Sequence, residues 1–234
     1  MLTIVLLLVL GFSHAKAGER AQECVILLHG LARTEKSLSK LEHYLESKGF
    51  SVINMGYPSR HKTVQELSVD VIPTAIEQCM ALDASKIHFV THSMGGILVR
   101  YYLEHNPVPN LGRVVMLSPP NRGSEAVDKL KGTPIFKWIN GPAGGQLGTD
   151  AGAIVNRLGA PNYEVGIITG DRSINPILSL LIPGSDDGKV SVESAKLQGM
   201  KDFLIVHKTH PFIMNDEKVL QQVVTFLGEG AFAR

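Results

Sequence analysis

The sequence predicts an α/β fold: a mostly parallel sheet of six strands with helices on both faces. Three observations predict it. Short, continuously apolar, β-branched runs recur along the chain. Helical patterns separate them. A Ser stands at a strand-to-helix junction near the middle. Continuous apolar runs, rather than alternating ones, are what parallel strands covered on both faces show. Alternation of strand and helix implies right-handed crossovers between parallel neighbours.

The strands are expected at residues 24–29, 51–54, 86–91, 113–118, 164–169 and 203–206. Leu38, Leu41 and Leu45 share one face of a helix that Gly49 ends. Val64, Leu67, Val71, Ala75, Ile76 and Met80 mark a second helix, which Pro73 should kink or split. A third follows Ser93 toward Tyr102. The last takes Asn215 as its N-cap and buries Val219, Val223, Phe226 and Leu227. Residues 121–162 break the rhythm: they are rich in Gly and Pro, with little periodicity and an apolar knot at Ile135, Phe136, Trp138 and Ile139. They are expected either to form a cap or lid over a site, or to be a packed surface excursion with a buried Trp. Within them, residues 141–145 lack the Lys-Ser/Thr sequel of a phosphate cradle and read as loop.

The termini and composition bound the class. Residues 2–10 are apolar except for Thr3, and Ala15-Lys16-Ala17 offers the small-x-small pattern of a signal peptidase site. The expectation is a signal peptide over residues 1–17 and a domain over 18–234, hence export to a periplasmic or extracellular location. An uncleaved N-terminal anchor is the alternative, because no Lys or Arg precedes the apolar run. The 23 Lys and Arg against 22 Asp and Glu leave no basic excess for a nucleic-acid partner. Cys24 opens one strand and Cys79 closes one helix, so both could lie at one edge of the sheet. Pairing and simple burial as two small apolar residues are the two readings.

Four segments carry chemistry. Thr91-His92-Ser93-Met94-Gly95-Gly96 follows a buried strand and opens a helix. Such an elbow strains the backbone of the central Ser and exposes its hydroxyl above the sheet. Gly95 supplies the small residue that close strand–helix approach needs. Thr91 stands where Gly is usual, so a slightly more open turn is expected. His29-Gly30-Leu31 ends the first strand. The backbone N–H groups of Leu31 and Met94 are the candidate donors to an oxyanion, with His29 bracing the loop. Asp186-Asp187-Gly188-Lys189-Val190 offers a carboxylate in a tight turn: Asp187 is preferred, with Asp186 and Asp171 as alternatives. In 207–212, His210 lies in a loop that can swing over the Ser. It is preferred as general base over His207.

These segments resemble the α/β-hydrolase superfamily, and within it the small bacterial lipases and esterases. His29-Gly30-Leu31 resembles the lipase oxyanion loop, and residues 91–96 the nucleophile elbow. Residues 118–124 are similar to the Pro-rich turn found after the next strand. Asp187-Gly188-Lys189-Val190 resembles the acid turn, and His210-Pro211-Phe212 the histidine loop. The resemblance covers nearly the whole chain after residue 17. It implies a reduced, six-stranded α/β-hydrolase fold, because little chain precedes the first strand to form the two leading antiparallel strands.

It also implies cleavage of carboxylic esters through an acyl-enzyme, with Ser93 as nucleophile, His210 as base and Asp187 as its orienting acid. Acyl transfer or amide hydrolysis by the same three residues, and a non-catalytic binding protein on the same fold, are the alternatives. The partner is expected to be a small ester or lipid, with possible contact to a lipid surface. No metal or cofactor is expected, since no Cys or His pair has zinc spacing. Phe136, Trp138, Ile139 and Leu147, and the segment 177–182, are candidates for an apolar wall beside the Ser.

Overall fold

A computed structural model describes residues 22–234. The signal peptide expected over residues 1–17 lies outside the described residues. Six strands form one parallel sheet: β1 Glu23–Leu28, β2 Ser51–Met55, β3 Lys86–His92, β4 Leu111–Leu117, β5 Val165–Gly170 and β6 Asp202–Val206. Their order is β2-β1-β3-β4-β5-β6. Every neighbouring pair is parallel. All six expected strands are therefore present, and the apolar runs were the correct signal.

Side chains along a strand alternate between faces, and the two cores follow that period. Ile26, Leu28, Phe89, Met116 and Ile167 pack on one face, under α2 (Val64–Ala81) and α3 (Met94–His105). Val25, Leu27, Val90, Val115 and Ile168 pack on the other, under α1 (Ser39–Ser47) and α9 (Glu217–Glu229). Between β4 and β5 the chain makes α4 (Glu125–Leu130), α5 (Pro134–Gly145) and α6 (Ile154–Arg157). Two further single turns, α7 (Pro176–Ser179) and α8 (Val192–Ala195), separate β5 from β6.

Four local expectations need correction. Pro73 does not split α2, which runs without a break over Val64–Ala81. The carbonyl that a proline frees belongs to the residue four positions back, here Val69, and Val69 is on the exposed side of the helix. The N-cap of α9 is Asp216, whose carboxylate accepts from the N–H groups of Lys218 and Val219 at 3.1 and 3.2 Å. Asn215 instead closes the short 3₁₀ turn Ile213–Asn215.

Residues 141–145 are the last part of α5 rather than loop. Gly141 breaks the helix at φ 61°, because a side chain there would run into the Arg60 carbonyl. Pro142 then starts a fresh helical turn, a position that suits its fixed φ. Finally, Trp138 is 79% exposed, so the packed excursion with a buried Trp is not what forms. The buried residues of α5 are Ala143 and Gly144, and Ile135 and Trp138 point outward.

The cysteine pairing is settled by position. Cys24 at the start of β1 and Cys79 near the end of α2 form a disulfide, with Cα atoms 5.7 Å apart. It ties the bottom edge of the sheet to the helix that covers it.

Candidate active site

In a 2-1-3-4-5-6 sheet the chain leaves β1 toward one side and β3 toward the other. The crevice above their C-terminal ends is where such sheets bind ligands. Gly30 and Leu31 follow β1, and Ser93 follows β3, so both stand at that crevice. Ser93 has φ 54° and ψ −124°, a left-handed conformation rarely adopted by a residue with a side chain. It is held there by its own N–H, which donates to the Leu117 carbonyl at 2.8 Å, and by the start of α3 at the next residue. A Cβ at Gly95 would lie 2.4 Å from the Leu28 carbonyl oxygen, so only Gly lets α3 approach β1 this closely. Thr91 stays in register within β3, opposite Leu28 and Met116. Its hydroxyl faces Gly96, whose missing side chain leaves it room. Within the elbow, residues 91–96, Ser93 alone has a positive φ.

Two distant segments meet over this elbow. His210 Nε2 is 3.0 Å from Ser93 Oγ, and His210 Nδ1 is 2.8 Å from Asp187 Oδ2. Asp187 is fully buried. Its Oδ1 accepts from the N–H groups of Lys189 and Val190 at 3.0 and 2.9 Å. The His210 N–H donates in turn to the Asp187 carbonyl at 2.9 Å, so the two loops are tied by backbone as well as side chain. Burial alone would raise the Asp187 carboxyl. The charge and hydrogen bond of His210 and the Val190 N–H outweigh it and hold the group below the usual carboxylate range.

The rival residues are occupied elsewhere. Asp186 accepts from Ser179 Oγ at 2.8 Å and from the Gly188 N–H at 2.7 Å, which makes it the brace of the turn. Asp171 pairs with His207, at 2.8 Å and on the exposed side.

The loop after β1 is braced by His29. Its Nδ1 lies 2.8 Å from the Gly30 carbonyl, its Nε2 accepts from the Tyr57 N–H at 3.4 Å, and its ring stacks on Tyr57 at 3.9 Å. Burial holds it below its usual pKa, so it serves as a neutral brace. The next turn is fixed by the Ala32 N–H, which donates to Ser59 Oγ at 3.0 Å. Among the described residues, the N–H groups of Leu31 and Met94 have no hydrogen-bond acceptor. Two unpaired donors beside a Ser hydroxyl are what a developing oxyanion requires.

His92 was not singled out as a site residue in the sequence. It is buried, its Nε2 lies 3.0 Å from the His210 carbonyl, and the two rings are 4.8 Å apart. Burial first, and then the charge of His210, hold it well below its usual pKa. A neutral ring whose Nε2–H donates to that carbonyl fixes the loop from beneath. The only available signal was a His at the end of a buried strand, next to the Ser.

Beside these groups opens a cleft of about 260 Å³. Phe136, Ile139 and Leu147 line it, as expected, together with Val127, Leu130 and Leu178. Trp138 does not line it. Ile135, Trp138, Ile177 and Leu180 stand outside it, each at least two-thirds exposed.

Sheet order, elbow and crevice together define an α/β-hydrolase fold. Solved structures agree. The chain superposes on the mature lipase BlEst2 of Bacillus licheniformis with a TM-score of 0.69 and 17% identity, covering 90% of this chain and 91% of that one. It spans only 53% of the same lipase in its propeptide form. The monoacylglycerol lipase of Paleococcus ferrophilus gives a TM-score of 0.58 and 20% identity, covering 88% and 94% of the two chains. Lipase B of Aspergillus fumigatus gives 0.67 and 17%, covering 91% of this chain and 54% of that one. No protein-family model and no curated protein matches the sequence.

Proposed function

We propose that the chain is a serine hydrolase of carboxylic esters that works through an acyl-enzyme. The hydrogen-bonded line from Ser93 Oγ through the His210 ring to the buried Asp187 carboxylate carries this reading. Ser93 attacks the ester carbonyl while His210 Nε2 takes its proton. The N–H groups of Leu31 and Met94 hold the oxyanion, and His210 returns the proton to the leaving alcohol. Asp187 keeps the Nδ1–H tautomer and stabilises the imidazolium. Water, deprotonated by His210, then releases the carboxylic acid. The fold's likeness to lipases and an esterase supports an ester as the acyl donor.

The apolar cleft supports acyl chains longer than acetyl. The segment 121–162 is proposed as a cap over the cleft, since Val127, Leu130, Phe136 and Ile139 supply much of the wall. Export is proposed as well, and the Cys24–Cys79 disulfide supports it, because such bonds persist in oxidising compartments. A p-nitrophenyl ester series tests the reaction. Ser93→Ala should abolish turnover of every member. In the native protein kcat/KM should rise from acetate to octanoate, by at most about fourfold per methylene, the equivalent of ~0.8 kcal/mol. Full activity in Ser93→Ala, or a maximum at acetate, would contradict the proposal.

A further inference from the structure

We propose that Arg33 and Lys189 form an anion subsite beside Ser93, and that the ester cleaved there carries a phosphate on its alcohol part. This rests on the serine-hydrolase reading and extends it to the substrate class. Both side chains line the cleft that holds Ser93 and His210, and no acidic side chain lines it with them. Neither takes part in any ion pair among the described residues. Two cations facing one cleft without an ion-pair partner repel one another, an arrangement that a bound anion relieves.

The placement of the two residues sharpens this. Arg33 stands two positions after Leu31, and Lys189 two positions after Asp187, so the charges ride on the loops that deliver the chemistry. Their backbones are fixed. The Arg33 N–H donates to the Gly30 carbonyl at 3.3 Å. The Lys189 N–H donates to Asp187 Oδ1 at 3.0 Å, and its carbonyl accepts from Ser124 Oγ at 2.8 Å. Both residues nonetheless remain exposed. Desolvation by the cleft walls and the nearby Arg33 charge push the Lys189 ammonium below its usual range.

A phosphate, with several acceptor oxygens and up to two charges, matches a guanidinium fork and an ammonium together. The apolar wall from Val127, Leu130 and Phe136 remains for the acyl chain. Hydrolysis adds water across the acyl–oxygen bond and yields a carboxylic acid and a phosphorylated alcohol.

The test compares kcat/KM for monooctanoylglycerol phosphate with that for uncharged monooctanoylglycerol, both as monomers in low-salt buffer. The native protein should favour the phosphate by about tenfold, as two partly exposed charge contacts imply. The Arg33→Gln/Lys189→Gln variant should lose that preference, Arg33→Lys should keep part of it, and high salt should compress it. Calorimetry with glycerol phosphate on Ser93→Ala should detect binding that the added double substitution removes. Equal kcat/KM for the two esters in the native protein, or a preference that survives the double substitution, would overturn the subsite while leaving the hydrolase reading intact. If neither glycerol ester is cleaved, the phosphate-ester proposal fails, and the p-nitrophenyl esters decide the hydrolase reading separately.

Discussion

Replacing Asp187 by Asn removes one negative charge from a fully buried site without changing the shape of the side chain. In the native protein that charge faces His210 Nδ1 at 2.8 Å. In the proposed reaction Ser93 gives its proton to His210, which becomes cationic, and the two charge centres lie about 4 Å apart. At the effective dielectric constant that suits protein sites, such a pair interacts by about 4 kcal/mol, or roughly 10³ in rate. An amide can also present its NH₂ to Nδ1, which favours the tautomer with Nδ1 unprotonated and Nε2 unable to accept the serine proton. Loss of both effects in Ser-His-Asp enzymes amounts to about 10⁴ in kcat. The expected loss for Asp187→Asn is therefore 10³–10⁴, assayed as kcat/KM on p-nitrophenyl butyrate, with circular dichroism to check the fold. Asp171→Asn is the matched control. Its partner His207 is 82% exposed, and neither residue lines the cleft that holds Ser93, so its activity should stay within about threefold of native. An Asp187→Asn protein with a tenth or more of native activity, or an Asp171→Asn protein that loses as much as Asp187→Asn, would refute the reasoning.

Two further predictions concern stability. Reducing the Cys24–Cys79 bond, which spans a sequence separation of 55, should destabilise the fold by up to about 4 kcal/mol on chain entropy; a urea midpoint unchanged by reductant would contradict this. Burial holds His29, His88 and His92 below the usual histidine pKa, so they take up protons when the chain unfolds. The sign follows: stability is full above the unfolded value of 6.5 and falls as pH drops toward the folded values, so the urea midpoint should be lower at pH 5 than at pH 7. His92→Asn should flatten part of that slope.

The sheet was legible because its signal is local: a continuous apolar run is a property of five or six consecutive residues. The elbow was legible for the same reason, since strand, Ser and Gly95 lie within a few positions. The choice among Asp187, Asp186 and Asp171 was not decidable in that way. All three follow β5, and only the partners brought by other segments separate them: His210 for Asp187, Ser179 for Asp186, His207 for Asp171. The disulfide was open because Cα separation depends on how α2 lies on β1.

The segment 121–162 was hardest to read, because distant contacts set its helices. Gly141 packs on the Arg60 carbonyl. The buried Arg100 of α3 donates to the carbonyls of Asn121 and Leu158, at 2.9 and 3.3 Å, and so clasps both ends of the excursion. Neither contact leaves a periodic trace in the sequence.

The central claim is that Ser93, activated by His210, is the nucleophile. A fluorophosphonate probe followed by peptide mass spectrometry tests it most directly, because the probe reacts only with an activated serine and reports its position. The account predicts one adduct per chain, on the peptide that holds Ser93, formed at neutral pH and lost in His210→Ala. An unlabelled native protein, or an adduct on any other serine, would contradict it.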